Sequence, residues 1–407
     1  MDFYIKENCK KQKINHSDDH QQQEIVFQRL PRELFMDIVS RLPTDSLIQF
    51  RFVCKTFQNI TYDRDLIQIH LAKSHQPCLI LHCDYPLNNQ LYFVEFPDHD
   101  SKQSLKRIQT PFSTDMPEFS VVGSCDGILC LVNSLFNDPI CVYNPFTRQY
   151  RELPKSVEFP NQEVMYGFGC HPVSKDYKII KIIYLITPQT VVRSLRRHRR
   201  RRFMQSEVQV FSLGGQEWKS IAAIPYQLDH LSGVASLNGR IHWVDHHAVF
   251  RGLIVSFDFS DEEFREIRMP ERNEQFTRSD YHLAVLRGCL SVAIPISARL
   301  GGGLDIWIMK EYGVKESWVK HYKVGTYIPK LISQEISQAH GIWRNVLDTR
   351  SVRVLCLQDN GDILLEYKGG TLASYNPEEG TFKDVAFPGM PRLFQTTVHV
   401  SSLNWIE

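Results

Sequence analysis

The pattern of apolar and polar positions divides the chain into two parts with different periods. Between residues 25 and 74, apolar residues recur every three or four positions, as they do along one face of a helix. After Ser74 they alternate with polar residues in short runs bounded by glycine, asparagine, aspartate or proline, which is typical of strands and tight turns. We therefore predict a multidomain α and β protein, with a small all-α domain followed by a large all-β domain.

The residues before this helical segment have a different composition. Residues 1–24 are polar, include a glutamine run and contain no apolar core. We predict that residues 1–24 form a disordered tail and that they are not a secretory signal.

The helical segment, residues 25–74, is predicted to form four short helices. In the first helix, Leu34, Ile38 and Leu42 are spaced by four, Pro31 suits the first turn, and Pro43 ends the helix. The second begins near Thr44 or Asp45, the third carries Phe57 and Ile60, and the fourth follows Asp63 or Asp65. The apolar positions extend further round these helices than one small core needs, so we predict a surface that a partner covers. The period alone also fits a helical bundle that has no partner.

The β part contains a recurring unit of strand, tight turn, strand, looser connection and hairpin. Its clearest copy starts at SGVASL, turns at Asn238-Gly239 and ends at FREIRMP. About six such units of roughly fifty residues each predict a β-propeller of about six blades, with a β-sandwich of the same strands as the alternative. The first copy is incomplete, so we predict that residues 396–405 pair with it and close the ring.

Connections in four-stranded blades fall on two faces, and their lengths here differ between the faces. The turns between strands one and two and between strands three and four share one face and are predicted to be short, as at Asn238-Gly239. The long connections are predicted on the opposite face, at residues 154–164, 186–206, 225–232, 245–251, 270–280, 296–303 and 325–349. Long loops on a rigid scaffold are a usual place for recognition, so we expect this face to bind a partner protein. The candidate binding residues are Tyr226, His246, His247, Phe250, Trp343, Arg196 and Arg199.

One long loop carries an arginine-rich run, Arg193–Arg202. It fits a nuclear-localisation signal, a contact for an acidic protein, phosphate contacts with nucleic acid, or an insertion with no dedicated role. No aromatic residues interleave with the arginines to stack on bases, so we expect no nucleic-acid partner. The expected location is the cytoplasm, the nucleus or both.

Composition and motifs provide little sign of chemistry. The chain has 407 residues, is 43% hydrophobic and 23% charged, and carries a net charge of +1, as expected of a soluble globular protein with no membrane partner. The ten cysteines include no CxxC pair and show no structural-zinc spacing, so we expect reduced thiols and no metal. His246-His247 beside Asp245 lacks a third ligand at a matching spacing. No nucleophile elbow, phosphate-binding loop or dinucleotide motif appears, so we expect no catalytic residues, no cofactor and no enzyme activity.

The helical segment resembles the F-box. The matching residues are Leu30-Pro31, Glu33-Leu34, Ile38, Arg41-Leu42-Pro43, Leu47, Phe50-Arg51 and Val53-Cys54-Lys55, with Phe57 where the family often has tryptophan. The resemblance implies docking onto a Skp-type adaptor and, through it, onto the cullin and RING subunits of a ubiquitin ligase. The implied adaptor contacts, or their direct supports, are Leu30, Pro31, Leu34, Ile38, Leu42, Pro43, Leu47 and Val53.

The β part, residues 75–407, resembles the kelch-like F-box-associated domain of plant F-box proteins. The matching stretches are Gly123–Gly127, Tyr143–Thr147, Tyr166–Gly169, Asp176–Ile179 and Leu237–Trp243. The resemblance implies a non-catalytic receptor that brings an unknown protein substrate to the ligase for ubiquitination and proteasomal degradation. The alternative is a ligand-binding or enzymatic propeller whose F-box serves only its own turnover.

Overall fold

The chain forms two compact units in the computed structural model. The structure describes residues 30–73, 77–83, 89–95, 104–135, 138–159, 162–185, 205–228, 233–245, 252–271, 281–296, 302–333, 352–367, 370–391, 393–404 and 406. The helical unit contains residues 30–73 together with residues 401–404, and the propeller unit contains the described residues from 77 to 400 and residue 406.

The described part of the helical unit has four short helices in the predicted order: α1 (Arg32–Val39), α2 (Thr44–Phe50), α3 (Lys55–Ile60) and α4 (Arg64–Lys73). Prolines precede the first two helices, and the Asp63 carboxylate accepts a hydrogen bond from the Asp65 backbone N–H at the start of α4. The apolar core of the unit consists of Phe35, Met36, Val39, Leu47, Leu66, Ile67 and Leu403. Among the described residues, no helix has both the length and the apolar character needed to cross a membrane.

The last residue of this core, Leu403, belongs to a different unit from the one that the sequence predicted. The sequence pattern placed residues 401–404 in the β domain, but they belong to the helical unit. Leu403 is fully buried there, and Ser401 bonds to Thr44 at the start of α2. Apolar and polar residues remain interspersed through residues 396–404, so the composition did not show where the strand ends.

Within its described residues, the propeller unit has 24 strands in six antiparallel sheets of four. In chain order the strands are β1 (Cys78–Cys83), β2 (Gln90–Glu95), β3 (Ser104–Ile108), β4 (Phe119–Cys125), β5 (Ile128–Asn133), β6 (Ile140–Tyr143), β7 (Tyr150–Glu152), β8 (Gln162–Cys170), β9 (Tyr177–Leu185), β10 (Gln205–Ser212), β11 (Lys219–Ile221), β12 (Ala235–Leu237), β13 (Arg240–Val244), β14 (Leu253–Asp258), β15 (Glu263–Arg268), β16 (His282–Leu286), β17 (Cys289–Pro295), β18 (Leu304–Met309), β19 (Trp318–Val324), β20 (Val352–Leu357), β21 (Ile363–Tyr367), β22 (Thr371–Asn376), β23 (Thr381–Val385) and β24 (Phe394–His399). The predicted six-bladed propeller is confirmed, and the alternative β-sandwich is wrong.

The ring is closed by the last strand of the chain. Blade one has the order β24-β1-β2-β3, and the other five blades each use four consecutive strands. Strand β24 pairs antiparallel with β1, with Ile80 opposite Thr397 and Leu81 opposite Thr396. The predicted closure is therefore confirmed, although the closing strand is Phe394–His399 and does not reach residue 405. The edge of β1 is thereby paired and is not left open to other chains.

The first strand of each blade lies towards the centre of the ring. Strands β24 and β4, β4 and β8, β16 and β20, and β20 and β24 contact each other across neighbouring blades. Buried apolar side chains fill the spaces between the sheets, as in the cluster that contains Ile180, Trp243 and Phe257 of blades three and four. Each blade thus buries both of its faces against its neighbours.

The strand order fixes which connections share a face. The turns between strands one and two lie on the turn face, where Asp126-Gly127, Asn238-Gly239 and Arg287-Gly288 all have positive φ. The turns between strands three and four lie on the same face. Not all turns there are short, because residues 171–176 join β8 to β9 and residues 310–317 join β18 to β19. The connections between strands two and three, and between successive blades, lie on the opposite face, which we call the loop face. The described residues that border or begin the seven long ranges predicted from the sequence lie at the loop-face ends of their strands, and much of these ranges lies outside the described residues.

Candidate functional site

Helix α1 presents apolar side chains on two sides. Phe35, Met36 and Val39 point into the core of the helical unit. Leu34 and Ile38 lie four residues apart, on one side of the helix, and each is 54% exposed. A helix of a small unit needs one apolar side for its own core, so the exposed pair is a surface that a partner can cover.

The chain between α1 and α2 is held in place by a buried histidine. The His70 Nε2 lies 3.0 Å from the Leu42 carbonyl oxygen. A carbonyl oxygen only accepts, so His70 Nε2 carries the proton and donates it. Burial lowers the pKa of His70, which keeps its ring neutral near pH 7. This bond fixes Leu42, which is half-buried against the core, and leaves Pro43 exposed.

Phe57 occupies the position where the family often has tryptophan. Its ring centroid lies 5.9 Å from that of Phe35 and 4.9 Å from that of Phe50. The phenylalanine therefore joins α1, α2 and α3 through aromatic contacts of ordinary spacing.

The eight predicted adaptor residues fall into two groups. Leu47 is fully buried and Leu42 is half-buried, so these two support the helices from within. The other six are exposed: Leu30, Pro31, Leu34, Ile38, Pro43 and Val53. The sequence prediction did not name Phe52, a further apolar residue of this unit, which is 85% exposed in the turn after α2. A signal for it was present in the sequence, because Phe52 is an aromatic residue between the matched stretches Phe50-Arg51 and Val53-Cys54-Lys55.

On the loop face, Tyr226 is the predicted binding residue that the structure describes. It is half-buried, and its hydroxyl donates a hydrogen bond to Glu266 Oε1 over 3.0 Å. Burial and this hydrogen bond raise the pKa of Tyr226. The other six predicted residues, His246, His247, Phe250, Trp343, Arg196 and Arg199, lie outside the described residues, as does the whole Arg193–Arg202 run.

A cleft of about 580 Å³ opens on the loop face where blades two and three meet. Its walls come from the connections that precede β4, β6 and β8. The lining residues are Asp115, Pro117, Asn133, Asp138, Pro139, Lys155, Ser156 and Glu158. Acidic groups outnumber basic ones in this lining, so the cleft suits a partner group that is basic and donates hydrogen bonds.

A buried polar chain lies beneath this cleft. The Lys181 Nζ donates to Ser156 Oγ at 2.6 Å, and the Ser156 hydroxyl donates to Asp138 Oδ2 at 3.0 Å. Lys181 is fully buried, and Asp138 is 9% exposed. Burial raises the pKa of Asp138 and lowers the pKa of Lys181, while the attraction between the two groups acts in the opposite direction on each. These two hydrogen bonds attach one wall of the cleft, which contains Ser156 and Asp138, to Lys181 on strand β9.

The sequence prediction found only part of this cleft. The range 154–164 contains Lys155, Ser156 and Glu158, but Asp115 and Asp138 belong to connections that were not singled out. One usable signal was Lys181, because a lysine interrupts the apolar run Ile179–Ile183 of a buried strand.

Comparison with known proteins agrees with both units. Residues 27–68 match the model of the F-box domain, and residues 78–404 match that of the F-box associated beta propeller domain. The F-box protein At3g07870 of Arabidopsis thaliana is 40% identical over 392 residues, covering 94% of this chain and 93% of its own length. The F-box protein CPR1 of the same plant is 28% identical over 396 residues, covering 92% of this chain and 88% of its own. The F-box/kelch-repeat protein At3g23880, also of Arabidopsis, is 26% identical over 382 residues, with 87% and 89% covered. The chain therefore belongs to the plant F-box proteins that carry an F-box-associated β-propeller.

Proposed function

We propose that this protein is the substrate-recognition subunit of a Skp–cullin–F-box ubiquitin ligase. In this proposal the helical unit docks onto a Skp-type adaptor, and the loop face of the propeller holds a target protein for ubiquitination and degradation. The observation that carries the proposal is the exposed pair Leu34 and Ile38 on an F-box helix whose other side is already packed.

The energetics of docking favour these two residues. Complete burial of a leucine or isoleucine side chain contributes about 1.5–3 kcal/mol, and each of the two has about half of its surface left to bury. Six exposed residues from the F-box motif thus offer an apolar contact without any change in the helical core.

For target binding we favour the cleft at blades two and three. Its carboxylates attract a basic side chain, and Pro117 and Pro139 supply apolar walls for the stem of a lysine or arginine. Tyr226, on the same face, supplies an aromatic surface of the kind that is enriched in protein interfaces. The ligase would then receive targets that present an exposed basic segment.

Adaptor binding is tested with the full chain and a recombinant Skp-type adaptor by calorimetry. We expect tight binding by the wild type and loss of binding by Ile38→Asp and Leu34→Asp, because a carboxylate in an apolar contact loses its hydration. Both positions are half exposed, so the melting temperature of each variant should stay close to that of the wild type. An unchanged melting temperature distinguishes these two variants from Leu42→Arg, which would also destabilise the helical unit because Leu42 is half-buried against its core.

The matched control is Val173→Asp, because Val173 is an apolar residue of the propeller that is 85% exposed. This variant should bind the adaptor like the wild type. Normal binding by Ile38→Asp and Leu34→Asp would show that this side of α1 is not the docking surface. If the adaptor binds but only the chain itself is ubiquitinated, the F-box serves turnover of the propeller and the receptor function is wrong.

A further inference from the structure

Two thiols and a carboxylate from neighbouring blades meet on the turn face. Cys125 ends β4 in blade two, Asp126 follows it in the tight turn, and Cys170 ends β8 in blade three. The two Sγ atoms and a carboxylate oxygen of Asp126 all lie within 4.8 Å of one another. The positive φ of 48° at Asp126 lets this side chain and the preceding one approach the same point.

The three side chains are already linked in the protein as it stands. The Cys170 thiol donates to Asp126 Oδ2 over 3.6 Å, and Lys175 Nζ lies 3.3 Å from the same oxygen. A hydrogen bond between the two thiols, together with burial, raises the pKa of Cys125. Cys170 is buried, whereas Cys125 is half-buried and the Asp126 side chain is 23% exposed, so an ion from solvent can reach the group.

The ligand types select a soft or borderline divalent ion. Thiolates favour zinc and its relatives over magnesium or calcium, and a zinc–sulfur bond of about 2.3 Å places two sulfurs about 3.8 Å apart in a tetrahedral site. The two sulfurs, which lie within 4.8 Å of each other, must therefore approach by no more than about 1 Å. Three protein ligands leave the fourth position of a tetrahedral ion to water.

We propose that Cys125, Asp126 and Cys170 form a zinc-type metal site that joins blades two and three on the turn face. Binding replaces the two thiol protons with one divalent ion, so two protons are released and the total charge of the group does not change. The site lies on the face opposite the loop face, and its proposed role is to fasten two neighbouring blades rather than to bind a target.

Lys175 is expected to weaken metal binding at this site. Its ammonium group is paired with the carboxylate that the ion needs, so it competes with the ion for Asp126. Replacing Lys175 with methionine removes the competing charge and keeps most of the side-chain length. We expect Lys175→Met to bind the ion several-fold more tightly than the wild type.

The test uses Co²⁺ as a spectroscopic probe on the reduced full chain. We expect one Co²⁺ per chain, with thiolate-to-cobalt charge-transfer absorption, the visible bands of a tetrahedral ion, and displacement of both by Zn²⁺. Cys125→Ser and Cys170→Ser should each weaken binding by at least about tenfold, since loss of even an outer-shell partner commonly costs that much. Asp126→Asn should weaken binding while the turn is kept.

The control is Cys356→Ser, which removes a buried thiol from blade six and should leave the cobalt spectrum unchanged. Zn²⁺ should also raise the melting temperature of the wild type and of Cys356→Ser, but not that of Cys125→Ser. Three results would overturn the site: no cobalt spectrum in the wild type, an unchanged spectrum in both cysteine variants, or a Cys125–Cys170 disulfide in a chain that takes up no metal.

Discussion

The hydroxyl groups of Thr44 and Ser401 lie 2.9 Å apart and share a hydrogen bond, although 357 residues separate them in the chain. Thr44 begins α2 of the F-box, and Ser401 follows shortly after the strand that closes the propeller. Two residues further on, Leu403 is fully buried in the core of the helical unit. The F-box of this protein is therefore assembled from both ends of the described chain, which links its stability to the C-terminal segment.

The first prediction concerns Leu403. Leu403→Ala should destabilise the helical unit by about 2–5 kcal/mol, because it leaves a cavity among Phe35, Leu47 and Leu66. Hydrogen exchange of the backbone amides in α4 measures this loss, since their protection follows the local opening free energy. We expect faster exchange in α4 and unchanged exchange in the strands of blade four.

Leu393→Ala is the matched control, because Leu393 lies in the same C-terminal segment but is 46% exposed. It should leave exchange in α4 unchanged. If Leu403→Ala also has no effect there, the C-terminal residues are not part of the F-box core.

The second prediction concerns the buried chain from Lys181 through Ser156 to Asp138. Lys181→Met leaves the Asp138 carboxylate buried without its counter-charge, and Asp138→Asn does the same to the ammonium, so each should cost about 3–5 kcal/mol. The double variant removes both charges and should cost clearly less than the sum of the two single changes. Urea unfolding of the four proteins measures this coupling. Additive costs would mean that the two charges do not interact through Ser156.

The third prediction is a dependence of stability on pH that comes from His242. Its Nδ1 donates to the Ala235 carbonyl at 2.9 Å, and its Nε2 accepts from the Tyr312 hydroxyl at 2.8 Å, which requires a neutral ring. Burial lowers the pKa of His242 to about 4. Above pH 6.5 the ring is neutral in both the folded and the unfolded chain, so its contribution is complete there. As the pH falls towards 4, the unfolded chain gains a proton that the folded chain excludes, and stability decreases.

This contribution is measured by comparing the wild type with His242→Gln at two pH values. Between pH 7.5 and 5, His242 should account for about 2 kcal/mol of lost stability, at about 1.4 kcal/mol for each pH unit below 6.5. The variant is less stable at pH 7.5, but it should lose about 2 kcal/mol less on acidification. Equal losses in the two proteins would show that His242 is not held neutral.

Much of the fold could be predicted from the sequence, because turns and strands are encoded by residues that are close together in the chain. The Asn238-Gly239 pair has the positive φ that its hairpin requires, and the alternation in residues 394–399 produces the closing strand. The features that the sequence did not reveal depend on residues that meet only after folding. Cys125 and Cys170 have no metal-site spacing, Asp138 is far in sequence from Lys181, and nothing local distinguishes Leu403 from a strand residue. Likewise, the four-residue spacing of Leu34 and Ile38 showed that they share a side of α1 but not that this side is exposed.

The fourth prediction compares two glycines of the propeller. Gly303 and Gly361 both have positive φ, at 93° and 86°, so alanine is strained at either position. A Cβ at Gly361 meets no atom within 4 Å, whereas a Cβ at Gly303 would collide with the Val324 carbonyl oxygen. Gly361→Ala should therefore cost about 1 kcal/mol of unfolding free energy, and Gly303→Ala clearly more. Thermal unfolding of the two variants checks the order, and equal melting temperatures would contradict the close approach of Gly303 to the Val324 carbonyl oxygen.

The receptor function itself is tested most directly by profiling ubiquitin-modified peptides in plant cells under proteasome inhibition. Cells would express the wild type, Ile38→Asp, or Val173→Asp as the control. We predict that at least one protein other than this chain carries more ubiquitin with the wild type and Val173→Asp than with Ile38→Asp. The same protein should lose its modification when Asp115 and Glu158, two exposed carboxylates of the cleft, are both replaced by lysine. If Ile38→Asp lowers ubiquitin modification only on lysines of this protein itself, the protein is not a receptor for other targets.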